Sequence, residues 1–556
     1  MKKLPELPVY LYFIIVTIVI IALFPRKHAS EYVFEEGKPW KSGLITAPFD
    51  FPVYQTQERT DTVTTDSLTA SGEVYRYVVT RTDTVEQHIQ AGEKIIDRGE
   101  IVNAYVGRLL SSMRRIETSK SSTLMRRIGL MTGISILIAG LMACLLLYLA
   151  FFRRKIYPKR KDVAFLLLMV ALFVIVTELC LRSGFSYIYI IPYAIIPIVI
   201  RTFFESRTAQ MTHTITVLIC SLMVAAPFEF LLMQFIVCAV ALYVLKDLTK
   251  RSELIRCAIF ILATYLVVYM GLLLYRDNDL TQIDWRLILN FGVNFLFILF
   301  TYPFIYIIEK IFGYISNVTL VELSDINLPA LTELSEKAPG TFQHSLQVSM
   351  LGTAAAAKVN ANPQLIRTGA LYHDLGKMEN PAYFTENAMP GNNPHDRLSF
   401  EESARVITKH VPDGVKIARH YGIPEAIIKF ILTHHGTGKT RYFYNSFKNQ
   451  HPDEPIDEEA FTYKGVNPDT KETAILMMAD AVEASSRSLK EYTEESIRNL
   501  VNRIIDGQIA EGLLNNAPLT FQNISAIKNV FVEKLLSVYH SRISYPELNK
   551  NQESKV

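Results

Sequence analysis

Seven of the twelve histidines in this 556-residue chain fall between His344 and His435. One is followed at once by an aspartate, in Leu371-Tyr372-His373-Asp374-Leu375-Gly376-Lys377. His344, the His373-Asp374 pair, His410 and the His434-His435 pair lie along one stretch, with Asp480 beyond them. Imidazoles mixed with carboxylates suit borderline divalent metals such as Mn, Fe, Co or Zn. Two such ions about 4 Å apart clamp both oxygens of a phosphoryl displacement. The pattern points to a metal-dependent phosphohydrolase and away from a purely structural metal site. Any one of these histidines alone reads as a satisfied core or surface residue; the set together does not.

The elements that must hold these residues read as helices. Thr341, after Gly340, is a candidate N-cap for an apolar, Ala-rich run from Ser345 to Val359. Asn362-Pro363 is an N-cap followed by proline at the first helical position, and that helix carries His373 and Asp374 at its C-terminal end. Ser399 with Glu402 makes a capping box for a helix ending near His410. Pro424 starts another that runs to His434-His435 and stops at Gly436, and Thr470 begins the one carrying Asp480. Adjacent helical residues point about 100° apart, so His373 and Asp374 do not share one metal comfortably. The simple solution is that Asp374 bridges two metals. Asp480, His344 and His373 then complete one site, and His410, His434 and His435 the other. A hydroxide held between the metals is the expected nucleophile, since coordination lowers the pKa of water towards neutrality. Lys377, one turn past His373, is a candidate for stabilising a phosphoryl oxygen or protonating a leaving group; the bland alternative is an exposed helix-end lysine favouring the dipole. His395, in a loop rich in Pro, Asn and Gly, is a candidate substrate contact, whereas His420 reads as a helix-end cation.

The hydrophobic fraction of 50% is concentrated in long windows with almost no charge. Such windows are membrane signatures, since about 20 apolar residues span the hydrocarbon core. The first is Leu7 to Phe24, behind Lys2 and Lys3, read as an uncleaved anchor rather than a signal peptide because no small-x-small site follows it. Seven more lie near 128–152, 163–181, 184–200, 211–228, 230–245, 257–275 and 287–308. With the N-terminus inside, loops 153–162, 201–210 and 246–256 carry six, two and four Lys/Arg, against one, none and one in the loops near 182, 229 and 276–285. This positive-inside bias places both termini in the cytoplasm and residues 25–127 outside. The basic run from Arg153 to Lys161 anchors the topology against anionic lipid. A net charge of +3 gives no argument for a nucleic-acid partner, and all five cysteines lie in apolar windows, so neither a disulfide framework nor a Cys-based zinc motif is available.

The expected architecture is a multi-domain membrane protein: an N-terminal transmembrane helix (1–24), a small α+β extracytoplasmic domain (25–127), a seven-helix transmembrane bundle (128–308), a linker (309–340) and an all-α cytoplasmic domain (341–556). Alternation around Val74 to Val79 favours strands, and Lys94 to Val102 reads as strand, turn at Gly99, strand. Glu178, His213 and Glu229 are ionisable residues in or at apolar windows and so candidates for ligand sensing or relay. Pro192 and Pro197 are expected to kink the fourth span and Pro303 the last. The linker is either a signalling helix or a tether.

The histidine and aspartate set, with His373-Asp374 inside HDLGK, resembles the HD-domain metal-dependent phosphohydrolases. Further stretches resemble the seven-transmembrane HD family of bacterial cyclic di-AMP phosphodiesterases: Leu323-Ser324-Asp325, Ala338-Pro339-Gly340-Thr341, Asn393-Pro394-His395, His434 to Thr437, Tyr442-Phe443-Tyr444, Met478 to Ala484, Leu519-Thr520 and Arg542 to Pro546. The resemblance covers essentially the whole chain. It departs where Gln343 precedes His344, since the family usually has a histidine pair there, and in the short outer domain. It implies an inner-membrane bacterial phosphodiesterase with an HD domain in the cytoplasm. That enzyme hydrolyses the second messenger cyclic di-AMP to pApA with two divalent ions, Mn or Fe, and with Asp374 bridging them. The implied partners are cyclic di-AMP and membrane lipid; an extracytoplasmic ligand and a homodimer stay open. Alternatives are an HD hydrolase of cyclic di-GMP or guanosine polyphosphates, although no Gly-Tyr-Pro tripeptide is present, and a membrane receptor that binds a nucleotide without turnover.

Overall fold

The computed structural model describes residues 8–24, 36–40, 44–64, 75–97, 99–121, 124–183, 188–245, 248, 250–277, 283–388, 391 and 393–539. Lys2, Lys3, Val74 and the Arg542–Pro546 stretch lie outside the described residues. By packing, the chain divides into two units. One comprises residues 1–196, 210–238 and 265–291; the other comprises 197–209, 239–264 and 292–556.

The polar segment after the first helix contains two antiparallel strand pairs. Ile45–Thr46 pairs with Lys94–Ile96, and Phe51–Thr64 pairs with Tyr75–Ile89. Trp40, Phe51, Val53, Ile89, Ile96 and Leu110 form its core, the last from the helix Ala104–Ser121 that closes the unit. Gly99 takes a positive φ of 86°, which serves the turn. The strand expected after it is reduced to a single bridge between Ile101 and Pro39.

Each of the eight apolar windows contains a helix. Among the described residues, Ile128–Phe152, Arg160–Arg182, Pro227–Val244 and Ser252–Arg276 are long and apolar enough to cross a membrane, and Trp285–Leu299 with Thr301–Phe312 passes as a pair bent by 41°. Val9–Leu23 and Ile188–Phe203 are apolar but shorter. The chain is therefore a multi-pass membrane protein; among the described residues four or five helices are full-length by this criterion, against one plus seven expected from the apolar windows. Pro303 explains the bend. It has no N–H to give Leu299 and its ring crowds that carbonyl, so the helix breaks at Phe300. Glu178 is buried and meets Arg182 at 2.5 Å, Glu229 meets Arg276 at 3.2 Å, and His213 is buried with neither ring nitrogen hydrogen-bonded to a described residue.

From Asn317 onward the chain is helical. Val348, Leu351, Ala355, Phe430, Leu476, Met478, Val501 and Phe531 belong to one buried cluster that joins the helices Pro339–Lys358, Glu425–Thr433, Lys471–Ser486, Glu494–Ala510 and Phe521–Tyr539. Burying a side chain of this size is worth about 1.5–3 kcal/mol. A second cluster joins Leu320, Leu331 and Leu334 to Leu371, Tyr372, Ile428 and Ile431. The first three lie on the short helices Asn317–Leu323 and Pro329–Lys337, inside the segment read as a linker. That segment is therefore part of the packed domain, and Tyr372 donates from its hydroxyl to the Leu323 carbonyl at 2.8 Å.

The expected caps at Asn362, Ser399 and Thr470 are present, each side-chain oxygen accepting from the first turn of its helix. Two boundaries differ. Proline at the first position starts the helix Pro339–Lys358 before Thr341, so Thr341 is helical and its hydroxyl turns to Glu386. His410 opens the helix His410–His420 rather than closing the preceding one, because Phe400–Thr408 ends two residues earlier.

Gly376 lies against the start of the His410 helix. A Cβ there would sit 1.8 Å from the His410 carbonyl oxygen and 2.6 Å from the Gly414 nitrogen, both backbone atoms that cannot step aside. Gly376→Ala should therefore destabilise the domain by more than about 3 kcal/mol, the upper range for overpacking. Thermal unfolding of the purified variant measures this, and an unchanged melting temperature would show that the approach is not constrained.

Candidate metal centre

Three of the histidines share one local device. The Nδ1–H of His373 donates to the Ala370 carbonyl at 2.7 Å, that of His410 to Ile407 at 2.7 Å, and that of His434 to Ile431 at 2.8 Å. Each acceptor lies three residues back, so the helical turn itself fixes the ring and its tautomer. Every Nε2 is then turned inward, and where the ring is neutral its lone pair points at the place a metal would occupy. The Nε2 atoms of His410 and His434 face each other at 3.1 Å. Two such lone pairs repel unless a cation lies between or beside them.

The side chains gather into two groups: His344, His373, Asp374 and Asp480, all buried, and His410, His434 and His435. Within each group the candidate ligand atoms lie within 4.8 Å of one another. Asp374 stands between the groups. Its Oδ2 lies 3.2 Å from His373 Nε2 and 3.7 Å from His344 Nε2, whereas its Oδ1 lies 3.4 Å from His410 Nε2 and 3.5 Å from His434 Nε2. One carboxylate oxygen thus addresses each group. Asp480 contributes Oδ1 to His344 at 2.9 Å and Oδ2 to His435 Nδ1 at 3.8 Å. Among the described residues, Asp374 Oδ1 and His373 Nε2 are buried without a well-aligned hydrogen-bond partner, and Asp374 Oδ2 has the Lys377 ammonium at 2.7 Å. Orphaned, convergent polar atoms of the right donor types fit a divalent-ion pair.

The electrostatics of the two groups differ. Burial alone would keep Asp374 and Asp480 protonated, yet His373 and Lys377 beside Asp374, and His344 and His373 beside Asp480, hold both carboxyls well below the usual carboxylate range. Against the same burial, Asp374 and Asp480 push His373 up to about 10. Burial pushes His410 down to about 3 and His435 well below the ordinary imidazole value. The first group therefore carries a proton that a metal must displace, while His410 and His435 are already neutral.

Lys377 is not a solvent-exposed helix-end residue: its side chain is 12% exposed, with Nζ 2.7 Å from Asp374 Oδ2 and 2.8 Å from Glu386 Oε1. Those two carboxylates outweigh its burial and keep it charged. His395 is placed elsewhere. Its Nε2 meets the Tyr383 carbonyl at 2.9 Å and its ring packs on Tyr383 and Phe443, apart from the residues that line the cleft over the metal ligands. His420 sits in the last turn of its helix.

Two acidic residues join the site without having been singled out. Glu386 holds Lys377, and Glu483 accepts from His344 Nδ1 while Arg487 grips its other oxygen at 2.6 Å. Glu483 lies three residues after Asp480 and so on the same helix face, a spacing that was readable. Glu483→Gln should loosen His344 and lower metal affinity about 10–100-fold, the usual cost of losing an outer-shell partner. Competition against a fluorescent chelator measures it; unaltered affinity would assign Glu483 to packing alone.

The residues open into a cleft of about 730 Å³ lined by His344, Lys377, His410, Tyr463, Arg487 and their neighbours. Cavities of about 300–1,000 Å³ suit small organic ligands.

The model of the 7TM receptor with intracellular HD hydrolase matches residues 129–316, and the HD domain model matches 341–485. The cyclic-di-AMP phosphodiesterase PgpH of Listeria monocytogenes serotype 1/2a (strain 10403S) is 31% identical over 471 residues, 83% of this chain and 64% of the relative. That of Bacillus subtilis (strain 168) is 30% identical over 484 residues, 84% of this chain and 66% of the relative. The chain thus spans just under two thirds of the length of these relatives. The crystal structure of the L. monocytogenes PgpH HD domain in complex with cyclic-di-AMP is 40% identical and covers 38% of this chain and 99% of that one, with a TM-score of 0.37.

Proposed function

We propose that this chain belongs to the seven-transmembrane HD-domain family and is a membrane-bound phosphodiesterase that hydrolyses cyclic di-AMP to pApA at a two-metal site. The observation that carries the reading is the division of the Asp374 carboxylate between two groups of imidazoles whose lone pairs converge on it. His344, His373, Asp374 and Asp480 would hold one ion, and His410, His434 and His435, with the other Asp374 oxygen, the second. A bound pair of Mn or Fe ions would supply Lewis acidity and a water of lowered pKa. The chain's own groups do the rest. Asp374 fixes the spacing of the two halves. Lys377, kept cationic and lining the cleft, offers charge to a phosphoryl oxygen. The hydrogen bonds to Ala370, Ile407 and Ile431 hold the imidazoles in register. That both PgpH relatives are cyclic-di-AMP phosphodiesterases supports cyclic di-AMP as substrate.

The placement proposed is the bacterial inner membrane, with residues 341–556 in the cytoplasm and 25–127 outside, on the strength of the Lys/Arg asymmetry of the loops. The test uses the whole chain in detergent, loaded with Mn and offered cyclic di-AMP, cyclic di-GMP and guanosine tetraphosphate. Preferential conversion of cyclic di-AMP to pApA is expected. Faster cleavage of either other nucleotide would overturn the substrate, and tight binding of cyclic di-AMP without turnover would make the chain a receptor.

A further inference from the structure

Tyr463 stands in no regular element, yet its position is tightly determined. Its N–H donates to the Gly438 carbonyl at 2.9 Å, Thr440 N–H to the Phe461 carbonyl at 2.8 Å, and Gly465 N–H to the Gly436 carbonyl at 3.1 Å. These bonds pin the segment around Tyr463 to the segment that follows His434-His435. The phenol ring is 8% exposed, lies over His435 at 4.2 Å between ring centroids and 27° between planes, and presents an edge to His410 at 6.0 Å. A phenylalanine would meet that packing equally well. The hydroxyl is what packing does not explain: it makes no hydrogen bond to any described residue, and its oxygen is not among the enclosed, unpartnered polar atoms, so it is open to the cleft. The residue lines the same cleft as Lys377, His410 and Asp480, and the charges of Lys377, Asp374 and Asp480 act on it. A phenol is a donor at neutral pH. A donor without a protein partner, set beside cations and prospective metal ligands, suits an anionic oxygen brought in by a substrate.

We propose that the Tyr463 hydroxyl donates a hydrogen bond to a non-bridging oxygen of the phosphodiester in the cleft, which makes Tyr463 a catalytic residue of the reaction proposed above, on which this inference rests. The bond strengthens as negative charge builds on the equatorial oxygens during displacement, so it acts more on turnover than on binding.

The test compares the whole wild-type chain with Tyr463→Phe, both in detergent and Mn-loaded, on cyclic di-AMP and on bis(4-nitrophenyl) phosphate. The variant keeps the ring and its stacking on His435. Expected are a kcat lower by about 10–100-fold, a KM changed by less than about threefold and an unchanged Mn content, as for removal of one preorganised donor. A phosphorothioate analogue adds a second readout. Sulfur at the contacted position should slow the wild type and barely slow the variant further. A variant kcat within about twofold of wild type overturns the proposal, as does a loss of activity that merely follows a loss of bound Mn, since either leaves Tyr463 a packing residue. Wild-type cleavage of bis(4-nitrophenyl) phosphate without cleavage of cyclic di-AMP would sink the substrate reading, and the comparison on that ester would still decide Tyr463. A wild type inert towards both overturns the two together.

Discussion

Alanine in place of Asp374 is expected to lower cyclic di-AMP hydrolysis by more than about 10³-fold, some 4 kcal/mol of transition-state stabilisation. The reason is geometric. Each Asp374 oxygen faces a different group at 3.2–3.5 Å, whereas Asp480, which also reaches both, comes no nearer than 3.8 Å to His435. Without it the two halves lose their common ligand, and metal content should fall to one ion or none per chain. The fold should persist. Lys377 retains Glu386, and His373 can shed the proton that Asp374 and Asp480 hold on it. Leaving a buried partner unpaired still costs stability, so a lower melting temperature is expected alongside retained helicity. Asp374→Asn, which keeps the shape and drops the charge, should be equally inactive. Hydrolysis by either variant at more than about a tenth of the wild-type rate, a cost of only some 1.4 kcal/mol, would rule out the bridging role.

Removal of metal should have an effect of similar size. Prolonged dialysis against a chelator is expected to abolish turnover, and Mn or Fe to restore it. Binding should also release protons, because His373, pushed up to about 10, is protonated in the metal-free site at neutral pH. The sign follows. Below about 10 each ion entering that group displaces the His373 proton, so apparent affinity climbs with pH, by up to about tenfold per unit, and levels off once the imidazole is already neutral. Calorimetry in buffers of different ionisation enthalpy counts the protons. Full activity in chelated protein that mass spectrometry shows to be metal-free would refute the two-metal reading altogether.

The chemistry was the most legible part of this chain. Histidine and aspartate are rarely buried without a purpose, so their types and spacing alone sorted them into the groups that the structure brings together. Helix starts at Asn362, Ser399 and Thr470 were legible because capping is local: the side chain and the N–H it accepts are within three residues. Contacts between distant segments were not. Glu386 reaches Lys377 only because Gly340, where a Cβ would come within 1.9 Å of the Glu386 carbonyl oxygen, lets that loop lie on the first turn of the preceding helix. Tyr463 gave no periodic signal, since it sits in irregular backbone fixed by its neighbours. His395 stood out by the company of Pro394 and Asn393, but its seat against the rings of Tyr383 and Phe443 was not legible. The stretch 309–340 looked like a connector because its two helices, at seven and nine residues, are too short to show a clear apolar period.

That stretch decides where the catalytic part can be severed. Glu309, near the end of the bent apolar helix, accepts from the Ser316 N–H at 2.5 Å and from the Thr319 hydroxyl at 2.8 Å, so the next helix is tied on from its first residues. Leu320, Leu331 and Leu334 then roof Leu371, Tyr372, Ile428 and Ile431, immediately behind His373 and His434. A fragment trimmed to begin at Thr341 would retain every metal ligand and lose that roof, baring an oily floor under the two imidazoles. A fragment expected to keep that roof starts near Ser316, some twenty-five residues ahead of the boundary that the ligand pattern alone suggests.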